Sequence, residues 1–350
     1  MLRIGGIVLD VPLGQAALSG FSDAPMRRIA RQLGAPYALH EVVLDRSILR
    51  PGKLRRRTIP PLDPDDHPIG GQLMGAEPSE FAAAAEIMVA HGYDVIDINF
   101  GCPVRKVLGR CRGGYLLSDP DTAIAILQAV RAAVPQNVPV TVKMRRGMDD
   151  TAASERAFFR IFDAAWELGC AAVTVHGRTV RQKYVGPSRW DFLARAKRHA
   201  GGRVVLGSGD LFTADDVRRM LAETGVDGVL LARGCIGNPW LFGEARAVLA
   251  GRPLPPPPDV PEQGRVIRAH FDLAVAAYGE MTAAQVMRKF GIKYAELHPH
   301  YLAVRTAFVR ATTPDRWRAV LDEWYDPTRA WPPGVRKTGP GLLVAAGACQ

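Results

Sequence analysis

The run Asn99-Phe100-Gly101-Cys102-Pro103 is the sharpest chemical feature of the sequence. A cysteine set between glycine and proline, on a loop leaving an apolar stretch, is presented rather than packed. An unperturbed thiol titrates near about 8.5, so Cys102 can give up a proton close to neutrality or act as a nucleophile. Cys170, inside an apolar run, reads as structural; Cys111 and Cys235 are intermediate, and Cys349 falls in the C-terminal tail. Lys143 interrupts the apolar run Val140-Thr141-Val142-Lys143-Met144-Arg145. It either faces an anion, because a buried unpaired charge is costly, or carries its ammonium out to a rim. His176, closing Val173-Thr174-Val175-His176, is either a ligand-facing imidazole or a satisfied core histidine. Gln72 puts an amide in an otherwise apolar stretch. A cation, an imidazole and an amide at one mouth suit an electron-rich planar cofactor that carries a phosphate. The turns Gly207-Ser208-Gly209-Asp210 and Ala232-Arg233-Gly234 fit that phosphate, since glycine lets the backbone approach and its N–H groups point at the anion. Either turn alone is equally a tight connection; the pair, with Arg233 in one of them, favours phosphate.

These residues need a scaffold that gathers strand ends. Apolar, β-branched runs at 14–18, 37–41, 68–74, 95–100, 138–144, 172–176, 204–207 and 229–232 read as eight strands, roughly 30 residues apart. Helical patterns at 78–91, 119–133, 152–168, 190–199 and 213–224 alternate with them. Thr213 is an N-cap with acids in the first turn, and Gly92, Gly169 and Gly225 follow their helices as C′ residues. Near-continuously apolar strands alternating with helices predict a parallel sheet. Eight units in about 240 residues predict an α/β fold of the (β/α)8 TIM-barrel type, with a doubly wound sheet as runner-up. In such a barrel the working residues lie at C-terminal strand ends and in the loops that follow. Residues 4–11 read as a small hairpin closing the barrel floor. After the proline-rich run 252–258 only helical patterns occur, at 260–278, 282–293, 298–311 and 313–324. The predicted organisation is a barrel domain over 1–250, a stiff linker over 251–259, a small helical domain over 260–326 and a loose tail over 327–350.

A chain of 350 residues that is 47% hydrophobic and 23% charged has a real core, which excludes bulk disorder. No apolar run reaches the roughly 18 residues of a membrane span, and residues 1–6 lack the apolar segment of a signal peptide. Five cysteines without CxxC spacing disfavour a disulfide framework or a zinc cluster, and a reducing, cytoplasmic setting is expected. No His/Asp/Glu set has metal-ligand spacing. The net charge of +10 is unevenly placed. Segments 46–57, 105–112, 145–146 and 178–183 hold 15 of the 45 basic residues and no acid, so the rest of the chain carries 30 basic against 35 acidic residues. All four segments follow strands. Four such runs converging on one mouth fit a polyanionic substrate, most simply a nucleic acid. Arg288, Lys289, Lys293, Arg305 and Arg310 add charge to the helical region.

Taken together, these stretches resemble the tRNA-dihydrouridine synthases, flavin-dependent enzymes that reduce specific uridines in tRNA. The resemblance rests on Gly71-Gln72-Leu73-Met74-Gly75, on Asn99-Phe100-Gly101-Cys102-Pro103 with Lys106, and on Val140-Thr141-Val142-Lys143-Met144-Arg145. It rests also on Val175-His176-Gly177-Arg178-Thr179 with Gln182 and Tyr184, on Gly209-Asp210, and on Ala232-Arg233-Gly234 with Gly237-Asn238-Pro239-Trp240. Arg288-Lys289 and Arg305 extend it into the helical region, so it covers about residues 4–325. The resemblance implies an FMN in the barrel mouth, with Gln72, Lys143 and His176 on the isoalloxazine and Gly209, Asp210, Arg233 and Gly234 on the phosphate, largely through backbone amides. Asn99 would orient the uracil, Arg178 would lie against the target nucleotide, and Lys106, Arg145, Arg288, Lys289 and Arg305 would contact RNA. Hydride would pass from N5 of reduced FMN to uracil C6, Cys102 would protonate C5, and NADPH would re-reduce the flavin. Three stretches depart from the family pattern. Strand 1 has Ala16-Ala17-Leu18-Ser19-Gly20 where a Pro-Met pair is usual, strand 7 ends in Ser208-Gly209 rather than Asn-Gly, and Cys111-Arg112-Gly113-Gly114-Tyr115 replaces a run of small residues. Leu18 and Ser208 touch the flavin cradle; the third change is on the substrate side. The expected partners are tRNA and NADPH, without a membrane, and the chain is expected to be a monomer. Two other readings remain open: an FMN barrel reducing a small pyrimidine or enone, and a non-catalytic RNA-binding relative.

Overall fold

The computed structural model describes residues 1–339. Strands β1 (Leu2–Ile4) and β2 (Ile7–Leu9) form an antiparallel hairpin. Eight parallel strand positions follow: β3 (Leu13–Gln15), β4 (Ala38–Leu39) continued by β5 (Val43–Leu44), β6 (Ile69–Met74), β7 (Val95–Phe100), β8 (Val140–Arg145), β9 (Ala172–His176), β10 (Val205–Ser208) and β11 (Gly228–Leu231). β11 pairs with β3, and β4 pairs with both β3 and β6, so the sheet closes on itself. This is the (β/α)8 barrel that the strand spacing predicts. The hairpin closes its floor: Leu2, Ile4 and Leu9 pack against Tyr37, Leu39, Val95, Ala172, Leu206 and Leu230 inside the barrel.

The barrel helices are α1 (Ala24–Gln32), α2 (Asp45–Leu49), α3 (Lys53–Thr58), α4 (Pro78–His91), α5 (Arg105–Leu108), α6 (Pro120–Ala133), α7 (Ala152–Glu167), α8 (Trp190–Ala200), α9 (Ala214–Thr224) and α10 (Leu241–Leu249). Thr213 caps α9 in a reciprocal capping box with Asp216, as its position before two acids indicates. The sequence reading omits α1, α2, α3, α5 and α10. Asp23 accepting from the Met26 N–H, with Pro25 at the start, is an N-cap signal that could have located α1. The predicted first strand, 14–18, ends earlier, at Gln15, because Leu18 turns back on Ser22: the Ser22 hydroxyl accepts from the Leu18 N–H at 2.8 Å, and the Leu18 carbonyl accepts from the N–H groups of Phe21 and Ser22.

Four helices follow the barrel: α11 (Val260–Tyr278), α12 (Glu280–Tyr294), α13 (Tyr301–Arg310) and α14 (Pro314–Trp324). They seat on the segment after β11. Trp240 donates its indole N–H to Glu262 at 2.9 Å and packs edge-on against Tyr294, and the Gly237 backbone lies flat on Lys293. One apolar cluster runs through this seam from the barrel helices to Phe308 and Trp317. Residues 327–338, placed in a loose tail by composition, are tied down as a strap. Arg336 pairs with Glu244 of α10, while Lys337, 6% exposed, reaches Glu296 at 3.0 Å. Cys349 and the rest of the tail lie outside the described residues. Among the described residues no helix is long and apolar enough to cross a membrane, and no cluster of His, Cys, Asp and Glu is disposed to hold a metal.

Candidate active site at the barrel mouth

Strand register builds the site. Gln72, Asp97 and Thr141 are direct cross-strand partners on β6, β7 and β8, and one step toward the mouth Asn99 is level with Lys143, and Lys143 with Thr174. The first row is a buried polar relay. Asp97 accepts from the Thr141 hydroxyl and from the Gln72 amide nitrogen, each at 2.6 Å. Gln72 in turn accepts from the Asn99 amide nitrogen at 2.7 Å. Asn99 Oδ1 accepts from the backbone N–H groups of Gly101 and Cys102 at 2.9 and 3.1 Å. Direction along this chain is not free. A carboxylate only accepts and a backbone N–H only donates, so the two ends together fix which way both amides point. The relay therefore reaches from the barrel interior to the backbone of Cys102. Burial raises the Asp97 carboxyl above its usual range, and the Lys143 charge partly opposes this.

Cys102 is half-buried at the mouth, its thiol within the field of Lys143 and Arg145. The departure at 111–115 is explained here. Gly113 adopts φ +57°, and a Cβ on it would fall 2.9 Å from Cys102 Cβ; a Cβ on Gly114 would fall 2.9 Å from the Cys102 carbonyl oxygen. Both glycines let the turn after α5 press directly on the cysteine. Lys143 is half-buried, and desolvation together with nearby Arg145 lowers its ammonium to about 8. His176 is 8% exposed; burial and the positive charges of Arg145, Lys143, Arg178 and Arg233 push it well below its ordinary value, so its imidazole is neutral.

At the ends of β9, β10 and β11 the donors crowd together. Asp210, at φ +57°, accepts from Arg178 and from the Ser188 N–H at 2.7 Å each and stands 3.5 Å from Arg233. Its carboxylate organises cations, so toward a phosphate it offers only its backbone N–H. The Ser188 hydroxyl is buried without a hydrogen-bond partner and lies where side chains on Gly177 or Gly209 would sit. Sequence reasoning missed Ser188, which no strand pattern marks. Ser208 is buried at the end of β10, Gly234 is buried in the turn after β11, and Arg233 in that same turn is half-exposed with its guanidinium 4.4 Å from the Tyr184 ring centre. Leu18 is half-buried after β3, the strand that pairs with β11. The mouth thus gathers an ammonium, a neutral imidazole, an amide, an unpartnered hydroxyl and a guanidinium, donors able to hold an electron-rich, anionic ligand.

Part of the expected RNA-facing set is held inside the structure. Arg145 is 2% exposed and donates to the carbonyls of Gly101, Thr179 and Lys183, stapling the loop of Cys102 to the loop after β9. Arg178 is 4% exposed and held by Gly186 and Asp210. Lys289 donates to the Gly20 carbonyl at the junction of barrel and helices. Arg146 is buried too, so three of the fifteen cations in the acid-free segments do not face solvent. Arg50, Lys53, Arg56 and Arg57 around α3 and Arg105, Lys106 and Arg110 on and after α5 are exposed, as is Arg288, and Arg305 is half-exposed.

Comparison with known proteins agrees with this architecture. The family model described as dihydrouridine synthase (Dus) matches residues 15–326. A Mycobacterium tuberculosis protein named "Probable tRNA-dihydrouridine synthase" is 37% identical over 333 residues, covering 92% of this chain and 84% of its own length. The tRNA-dihydrouridine synthase B of Xanthomonas campestris pv. campestris is 34% identical over 326 residues, covering 93% of this chain and 96% of its own. Among solved structures, a 2-naphthoyl-CoA reductase in complex with 2-naphthoyl-CoA shares the fold, with a TM-score of 0.56 and 13% identity over 72% of this chain and 52% of that one. With a family match over nearly the whole length and relatives of this identity, the chain belongs to the dihydrouridine synthase family.

Proposed function

We propose that this chain reduces a uridine of tRNA to 5,6-dihydrouridine, with FMN as its bound flavin and NADPH as reductant. The observation that carries the reading is the Asp97–Gln72–Asn99 relay, which ends on the backbone of Cys102 at the mouth shared with Lys143 and His176. Bound and reduced there, the flavin would be the source of a hydride for uracil C6. Cys102 then gives its proton at C5, and Asn99 orients the uracil with the amide hydrogen its relay bond leaves over. Lys143 and Gln72 hold the electron-rich edge of the ring, and neutral His176 contributes a hydrogen bond without adding charge. Leu18 walls the ring, while Ser208, Gly209, Gly234, Arg233 and the backbone of Asp210 take the phosphate. The target base leaves its stack to enter the mouth. Exposed cations on α3, α5 and α12 grip phosphates; Arg145, Arg178 and Lys289 act from within, by holding loops.

The decisive measurement is the visible spectrum of the purified protein before and after anaerobic NADPH, followed by incubation with an unmodified tRNA transcript. Flavin bands that bleach, and dihydrouridine in the transcript, are the expected result. No flavin after incubation with FMN overturns the reading in favour of a non-catalytic RNA binder; a bleaching flavin that reduces small pyrimidines and not tRNA favours the small-substrate alternative. Docking through the exposed cations also sets a salt dependence. Each phosphate neutralised contributes about −0.7 to −0.9 to the slope of log affinity against log salt, so four contacts give a slope near −3. A flat response would remove the basic rim as the docking surface.

A further inference from the structure

Lys289 carries an ammonium that RNA binding does not explain, since it is spent on the barrel. It lies on α12, half-buried, and donates to the carbonyl of Gly20 in the turn between β3 and α1. The N–H of the same glycine donates to Glu41, in the segment between β4 and β5, so Gly20 is gripped from both sides. Its φ of +75° is open to glycine with little strain. The aromatic neighbours reinforce the grip. The ammonium stands 4.9 Å from the Phe21 ring centre and 5.3 Å from that of Phe290, and the two rings meet edge-on at 5.4 Å. One turn of chain further on, Asp23 caps α1 and accepts from the Tyr278 hydroxyl of α11 at 3.1 Å. Asp23 and Glu41 both lie in the field of the Lys289 charge.

The gripped turn is also the turn that places Leu18. Phe21 and Ser22 donate their N–H groups to the Leu18 carbonyl at 2.8 and 2.9 Å, and Ser22 Oγ accepts from the Leu18 N–H. A continuous set of bonds therefore runs from α12 through Gly20 and Phe21 to Leu18. Arg288, the residue before it on α12, is exposed to solvent. We propose that Lys289 is an interdomain positioning residue: it holds the 18–22 turn from the helical domain, so that the seating of α12 sets the position of the Leu18 wall. Two adjacent cations on one helix then have opposite duties, Arg288 outward on phosphate and Lys289 inward on the barrel. The consequence for cofactor affinity rests on the flavin reading above; the grip itself does not.

The test compares Lys289→Met, which keeps most of the stem and drops the charge, with Lys289→Arg and Arg288→Met in the full chain. Amide hydrogen exchange is the first readout. Phe21 and Ser22 should exchange about tenfold faster in Lys289→Met, with β7 amides unchanged, and Lys289→Arg should restore much of the protection. Affinity for FMN should fall about tenfold in Lys289→Met and stay put in Arg288→Met. The salt slope of tRNA binding should be unchanged in Lys289→Met and shallower by about 0.7–0.9 in Arg288→Met, the value of one lost phosphate contact. Unchanged exchange at Phe21 and Ser22 overturns the grip, and a shallower slope in Lys289→Met makes Lys289 a phosphate contact instead. Faster exchange with unaltered FMN affinity overturns the coupling to Leu18. Should the wild-type chain take up no FMN, the functional reading fails, while the exchange data still decide the grip.

Discussion

Cys102→Ala should retain flavin binding within about twofold and lose dihydrouridine formation by about 10²- to 10⁴-fold, the usual contribution of a positioned general acid. The substitution is clean for a structural reason. The turn at Gly113 packs against Cys102 Cβ, which alanine keeps, and Asn99 holds the backbone of residue 102 rather than its sulfur. Only Sγ is removed, and the Asn99 bonds and the Gly113 contact that seat the loop remain. Cys102→Ser restores a proton on nearly the same position, but a hydroxyl gives it up far less readily than a thiol, so serine should recover only a small part of the rate. The measurement is single-turnover reduction of a tRNA transcript by protein already reduced with NADPH, with FMN affinity measured in parallel. Because the first half of the cycle does not use the thiol, NADPH should bleach the variant's flavin as fast as the wild type's. A variant that keeps its rate on tRNA within about fivefold would take the proton from elsewhere, and Cys102 would leave the mechanism.

The barrel was legible because strands buried on both faces are largely apolar and β-branched, as in runs 140–145 and 172–176, and because eight such runs alternate with helical patterns. Their ends were legible for the opposite reason: Lys143, His176 and Gln72 are polar exceptions inside those runs. What joins the exceptions was not. Asp97 reads as an ordinary polar position in Asp97-Ile98-Asn99, and only the register of three strands brings it level with Gln72 and Thr141. Register is a property of strand pairs, and no single run of sequence carries it. Charge was misread in the same way. Arg56 and Arg145 are both arginines in acid-free segments after a strand. One faces solvent, whereas the other has three backbone carbonyls to satisfy it and is sealed beneath the loop it staples. Lys289 looked like half of a basic pair because its partner, the Gly20 carbonyl, lies 269 residues away in the chain.

Lys143→Met should make the flavin-free protein more stable at neutral pH and at the same time weaken FMN binding by about ten- to a hundredfold. Both halves follow from one displaced ammonium. Burial and Arg145 bring Lys143 down from 10.5 to about 8, against the opposing pull of Asp97 and Cys102. The folded chain therefore binds fewer protons than the unfolded chain between pH 8 and pH 10.5, and stability rises with pH across that window. Below pH 8 the whole cost of holding the charged group out of water is present; above about pH 10.5 none of it is. Methionine, similar in shape and uncharged, removes the cost. The melting temperature of the flavin-free variant should exceed that of the wild type by a few degrees at pH 7, with the gap closing as pH climbs past 8. Flavin affinity responds in the other direction. A charge-assisted hydrogen bond to the electron-rich edge of the ring contributes about 1.5–3 kcal/mol, and only the protonated lysine makes it. Wild-type affinity should accordingly hold below pH 8 and decline above it, whereas the variant should bind weakly with no such bend. A variant that is less stable than the wild type at pH 7, or that keeps both the affinity and the bend near pH 8, would show that Lys143 is a solvated rim lysine and that the cradle draws its positive charge from another residue.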